Sequence, residues 1–237
     1  MKKQWRILFQ ILLYNLVLAA CVEYDAKPFT GKTLPRTTGY STGVTQDWLY
    51  FNLRTGEQFN TQAPNYDIPE GEQKEREDWD LAFCGYRLRT NSGTSGIGMG
   101  GAADLGYGNY NHWTHVYQLP QNLEWSIDND SEVYVTMSQN DWNKHLIDNN
   151  LDFKKNPWFD PNKGPANTLT SANPVLANAM YFAGPPPVYS PSLHTYVVRT
   201  ADGKRYFKLQ LISWYNANIE IGDGGGRISY YCDELLQ

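Results

Sequence analysis

At 237 residues the chain is long enough for one good core or two small ones, and 20 basic against 25 acidic side chains leave a formal charge of −5. That acidic balance excludes the basic footprint that nucleic acid or an anionic membrane surface demands of a partner. Three cysteines, without zinc-site spacing and without a C-x-x-C-H motif, exclude a cysteine-built metal centre.

The first twenty residues read as a processing signal. Lys2, Lys3 and Arg6 form a basic start, and the apolar stretch Ile7 to Ala20 is interrupted by Gln10 and Asn15, too short and too polar for a comfortable membrane span. It ends in Leu18-Ala19-Ala20-Cys21, which resembles the lipobox cut by the bacterial lipoprotein signal peptidase. Cys21 is therefore the expected lipidation site, and its acyl chains, at about 0.8 kcal/mol per buried methylene, would hold the protein on a membrane. Removing residues 1–20 lowers the formal charge of −5 by three, to −8.

Residues 21–45 are rich in Pro, Gly and Thr without periodicity, and read as a flexible tether to a domain spanning 46–237. Strands are expected at Trp48 to Leu53, at Trp79 to Phe83 and, after a bulge at Gly85, at Tyr86 to Arg89. A glycine-dense loop runs from Asn91 to Gly101, and the segment Ala102 to Asn111 is too glycine-rich for a helix. Ser131 to Met137 alternates as a strand, and Trp142, His145 and Leu146 share a face of a possible short helix over 141–148. Residues 149–179 read as a long loop with at most a helical turn at Val175-Leu176. Tyr196 to Arg199 and Tyr206 to Tyr215 flank an Asp202-Gly203 turn, a strong hairpin signal, and after a turn at Gly222 to Gly226 a last strand runs from Ile228 to Cys232. The expectation is a single, all-β, antiparallel domain with long loops and at most short helices.

Few motifs carry chemistry. Gly96-Ile97-Gly98-Met99-Gly100-Gly101 satisfies G-x-G-x-x-G, but lacks the buried strand before it and the helix after it that a dinucleotide site requires. The glycines are expected to supply positive-φ freedom in a tight loop. His112 and His115 stand three apart among Gly, Asn and Tyr residues, which places them on a loop without further metal ligands. There is no G-x-S-x-G elbow and no H-E-x-x-H, so no enzyme is expected. The aromatic content, 14% with 8 Trp and 17 Tyr, is the remaining clue. Tyr107, Tyr110, Trp113, Trp142, Trp158, Tyr181 and Tyr189 fall in loops or at strand ends, where they could grip a planar ligand or a sugar.

Several blocks taken together resemble the HmuY family. They are Trp48 to Leu53 with Thr55-Gly56-Glu57, Trp79 to Phe83, Tyr86 to Asn91, Gly96 to Ala102, Gly184-Pro185, Tyr189, Val198-Arg199, Ala201-Asp202-Gly203 and the strand from Ile228. The resemblance implies an all-β outer-membrane lipoprotein, facing the periplasm or the cell surface. It further implies a protein that binds haem or a related tetrapyrrole and passes it to an outer-membrane importer, such as a TonB-dependent receptor. The alternative is a lipoprotein of the same fold that binds a glycan or a protein. Family members hold haem iron between two His or two Met side chains. The second such position, just before Gly184-Pro185, is Ala183 here, which cannot coordinate iron. Met180 is the nearest substitute, Met137 or His145 the candidate for the other ligand, and His194 the next in line. Met180 and Met137 also fit as core methionines of strands. Cys84 and Cys232, near strand ends, are close enough to pair if the family's last strand packs as implied.

Overall fold

The computed structural model describes residues 28–34, 48–61, 66–69, 71–129, 134–137, 166–169, 171–183, 188–215, 217 and 227–237. The domain begins at Gly31 and runs to Gln237; Met1–Thr30 forms a separate unit. The signal segment 1–20, Cys21, the possible helix over 141–148 with Trp142 and His145, Trp158, Gly184-Pro185 and the turn at 222–226 lie outside the described residues. No helix among the described residues is long and apolar enough to cross a membrane.

Thirteen short strands are described. They are β1 (Lys32–Thr33), β2 (Leu49–Phe51), β3 (Gln58–Phe59), β4 (Leu81–Cys84), β5 (Arg87–Thr90), β6 (Gly101–Tyr107), β7 (Tyr134–Met137), β8 (Ala166–Leu169), β9 (Met180–Ala183), β10 (Val188–Pro191), β11 (His194–Arg199), β12 (Tyr206–Ser213) and β13 (Ser229–Glu234). Single 3-10 turns occur at Glu72–Glu75, Val116–Gln118 and Leu176–Ala179. Every strand pairing is antiparallel, so the expected all-β, antiparallel class is what forms. One sheet has the order β1-β13-β12-β11-β6 and another the order β3-β2-β4-β5, with β9–β10 and β7–β8 as separate ribbons.

The two larger sheets face each other because their strands alternate in register with one shared core. Leu49, Phe51, Leu81, Phe83 and Leu88 from one sheet meet Tyr196, Val198, Phe207, Leu209, Leu211, Tyr230 and Cys232 from the other. Side chains of opposite parity turn away, yet both outer faces are also covered. Trp48, Tyr50, Trp79, Ala82 and Cys84 form a second cluster behind the four-stranded sheet. Ala103, Val197 and Leu235 form a third behind the five-stranded one, against Trp113 and Trp125. Each large apolar side chain buried this way contributes about 1.5–3 kcal/mol relative to exposure. The ribbon β9–β10 is fixed by rings: Tyr189 stacks on buried Trp214 at 4.4 Å, and Tyr86 meets both.

Several expectations are corrected. Residues 32–33 are not tether but an edge strand on β13, and Leu34 is buried in the main core. Gly85-Tyr86 is no bulge but the two-residue turn of the β4–β5 hairpin, with Gly85 at φ 57°. Strand β8 forms inside the expected long loop by pairing with β7, and β6 forms in the glycine-rich segment by pairing with β11, partners distant in sequence; β3 and β10 close short hairpins with β2 and β9. The expected positive φ is met at Gly101 (147°) and at Gly93 (53°) in the same loop, whereas the glycines at 96, 98 and 100 serve close packing: a Cβ on any of them would strike Asn91. Asn91 donates its amide to the carbonyls of Arg76 and Trp79 and accepts from Gly98, so the loop is wrapped around one side chain. Cys84 and Cys232 are both buried and form no disulfide with each other. Alternation explains why: Cys232 points into the main core, whereas Cys84 points to the opposite face of its own sheet.

Candidate functional site

Chemistry-bearing side chains gather where β6 and β11 end. The chain enters β11 through Leu193, whose φ of 57° is left-handed and strained for a branched side chain. Two donors hold its carbonyl there, the Gly108 N–H at 2.9 Å and Gln210 Nε2 at 2.8 Å. The register then slips between His194 and Tyr196: His194 lies opposite Tyr107, but Tyr196 lies opposite Asp104. Bulges of this kind re-aim side chains at sheet edges.

The slip brings Asp104 to His194. Imidazole Nδ1 lies 2.8 and 3.0 Å from the two carboxylate oxygens, with both side chains about one-third exposed. A carboxylate only accepts, so Nδ1 carries the hydrogen, and in the neutral ring the lone pair is the one on Nε2. Nε2 has no hydrogen-bond partner among the described residues. The ring is inclined at 30° to Tyr196 with centroids 6.3 Å apart, and lies edge-on to Tyr107 at 6.2 Å. Burial pushes the Tyr196 phenol up to about 12; a hydrogen bond with Ser192 opposes this, while Asp104 and Tyr181 reinforce it. Tyr181, on β9, is thus within electrostatic reach of the same ledge. Tyr107 and Tyr181 are among the most exposed large side chains described, at 68% and 54%.

The residues expected from the sequence are only partly brought here. Met180 adjoins the ledge through the Ser192 N–H to Ala179 carbonyl bond, but its side chain is 3% exposed and belongs to the main core. Met137 sits at the end of β7 opposite Ala166, in a separate ribbon. His145 lies outside the described residues. His194 is legible from the sequence as a reserve candidate; Asp104 is not, because it is ninety residues away and is delivered only by strand pairing. His112 and His115 are loop residues as expected, His115 capping the turn Val116–Gln118.

Other polar clusters are internally satisfied. Lys208 donates to the Tyr110 carbonyl and lies over its ring, while the Tyr110 hydroxyl donates to Asp233 at 2.8 Å. In the surface hollow lined by Asn52, Arg54, Arg76, Glu77 and Asp78, Arg76 pairs with Asp78 and Arg54 with Asp80. No group of three His, Cys, Asp or Glu side chains among the described residues could cage a metal ion.

Comparison with known proteins follows the same lines. A family model described as HmuY protein matches residues 44–232. No curated protein matches the chain. Among solved structures it is similar to the apo form of an HmuY analogue from Tannerella forsythia, with 18% identity over 90% of this chain and 100% of that one, at a TM-score of 0.52. A HmuY-like protein from Bacteroides vulgatus, described as heme binding, gives 19% identity, 77% and 83% coverage and a TM-score of 0.46. Apo PinO from Porphyromonas gingivitis gives 14% identity, 79% and 90% coverage and a TM-score of 0.47. At 18% identity the Tannerella structure speaks for the fold alone. The family match covers most of the chain and nearly all of the domain built above, and the chain belongs to the HmuY family.

Proposed function

We propose that this protein is an exported lipoprotein, anchored through Cys21 in the outer membrane, that binds haem or a related tetrapyrrole and passes it to an outer-membrane importer. Membership of the family makes it a binding protein of HmuY type. The observation that carries the haem reading is the ledge itself: one part-exposed imidazole held from behind by a carboxylate, beside the exposed Tyr107 ring, with exposed Tyr181 within electrostatic reach of Tyr196. A planar macrocycle supplies four ligands of its own and asks the protein for flat apolar contact and one or two axial atoms.

Met180 with Met137 or His145 is the axial set that the family position at Ala183 implies. For Met180 this requires the β9–β10 ribbon to lift, since its side chain is now core. The test is a titration of the detergent-solubilised full-length protein with haem, in air and under dithionite, followed through the Soret band. A saturable change in either state is expected. No saturable change in both would remove haem and leave a HmuY-fold lipoprotein for a glycan or a protein.

The anchor is tested separately. Cys21→Ser is expected to move the domain from the membrane to the soluble periplasmic fraction. If the variant stays membrane-bound, the lipobox assignment is wrong.

A further inference from the structure

We propose that His194 Nε2 is the atom that binds the haem iron, and that Asp104, acting through Nδ1, makes the site prefer ferric over ferrous haem. The inference rests on the haem reading above and assigns within it a donor that does not occupy the family position at Ala183.

An ordinary surface His–Asp pair needs none of what surrounds this one, and at this exposure contributes at most about 1 kcal/mol to stability. Here a strained Leu193 immediately precedes the histidine, held by two hydrogen bonds to its carbonyl, and a bulge immediately follows it. Strain of roughly 1–3 kcal/mol persists only where the surroundings enforce it, and such positions cluster at ligand sites. Their joint effect is to fix which way the ring faces. Asp104 is itself oriented, since one of its oxygens also accepts the Gly106 N–H at 2.8 Å. The imidazole is thus held on one side by a carboxylate and bare on the other, the arrangement found behind metal-ligating histidines.

The chemistry of that arrangement sets the redox preference. A carboxylate drawing on Nδ1–H puts electron density onto the ring and raises the basicity of Nε2. It also places negative charge near the iron, which stabilises the more positive ferric state. A thioether does the reverse, favouring ferrous iron. Met180, buried in the core, and His194, at the open ledge, therefore predict opposite redox behaviour.

Wild type, His194→Ala, Asp104→Asn and Met180→Ala proteins, full-length in detergent, are titrated with ferric and ferrous haem and with zinc protoporphyrin IX. Zinc in a porphyrin takes a single nitrogen ligand and does not change oxidation state, so it reports imidazole ligation alone. Wild type and Met180→Ala should show the red-shifted Soret band of a nitrogen-ligated zinc porphyrin. His194→Ala should lose it and regain it with added imidazole, while its circular dichroism and melting temperature stay unchanged. Asp104→Asn should weaken ferric haem about 10- to 100-fold and ferrous haem less. Unchanged spectra in His194→Ala would overturn the ligand assignment while leaving haem binding intact. Equal losses for both iron states in Asp104→Asn would overturn the redox preference. Failure of all three probes to perturb the wild-type Soret band would instead refute the haem reading, and this inference with it.

Discussion

Replacing Asp80 with alanine is expected to destabilise the domain by about 3–5 kcal/mol, the range seen when one partner of a buried ion pair is removed. The Asp80 side chain is entirely buried, and one oxygen accepts the Leu53 N–H at 2.8 Å and Arg54 Nε at 3.2 Å. The other accepts the Ala201 N–H at 2.7 Å. Leu53 and Arg54 follow β2, whereas Ala201 opens the turn between β11 and β12. A single carboxylate therefore ties a turn of the four-stranded sheet to a hairpin of the five-stranded one. The Asp80 carbonyl also accepts the Asn91 N–H, and the Ala201 carbonyl accepts the Met99 N–H at 2.7 Å, so the glycine loop hangs from the same tie. Without the carboxylate, two backbone N–H groups lose their acceptors, the Ala201 one buried and the Leu53 one partly buried, costing roughly 1–3 kcal/mol each. Chemical denaturation reads the effect as a lower midpoint at unchanged slope. A cost below about 1 kcal/mol would mean that water replaces the carboxylate and that the tie is not structural.

How far the sequence discloses this molecule depends on whether the signal is local. The Asp202-Gly203 turn is local, and it stands where expected, with Gly203 at φ 72°. The alternation in Trp79 to Phe83 is local too, and Leu81 and Phe83 do share a face. What alternation could not reveal is that the other face is also covered, so that Ala82 and Cys84 are as buried as their neighbours. That second layer also separates Cys84 from Cys232, since in a strand a single step in parity moves a side chain to the opposite side. β6 is disguised by two glycines and an aspartate among its seven residues, and becomes a strand because β11 pairs along it. The site suffers most. Nothing near His194 in the chain announces Asp104, and nothing in the identity of Leu193 announces a left-handed backbone. The family resemblance points to the region of Ala183 and Met180, and the structure shows Met180 filling the core there.

The same core segment is held by a buried acid whose titration is open to measurement. Asp128 is 1% exposed. Its carboxylate accepts the Thr90 N–H at 2.9 Å, the Thr90 hydroxyl at 2.5 Å, the Ser92 hydroxyl at 3.3 Å and the Asn173 amide at 3.0 Å. Asn173 in turn caps the turn leading to Met180, accepting the Leu176 N–H. Burial pushes the Asp128 carboxyl up to about 6 despite these donors, all of which favour the charged form. A carboxyl that holds its proton more tightly in the folded chain than in the unfolded one makes stability fall as pH rises through that window. Acidification from neutral pH through the Asp128 titration should therefore stabilise the domain by roughly 1 kcal/mol, since a tenfold change in proton affinity corresponds to about 1.4 kcal/mol. Asp80, also raised by burial, adds in the same direction. The opposing groups, Asp78, Asp202 and Glu234, are lowered by their partners, and their contribution is lost only at more acid pH. Asp128→Ala orphans the Thr90 N–H, while the Thr90 and Ser92 hydroxyls keep each other and the Asn173 amide keeps the Ser126 carbonyl; it is expected to cost about 1–3 kcal/mol near pH 7, and more near pH 5, where the wild type has gained. Urea midpoints for both proteins, from about pH 5 to about pH 7, decide the matter. A wild type that loses stability on acidification over that range, or a variant with the same pH dependence as wild type, would show that Asp128 does not carry the effect.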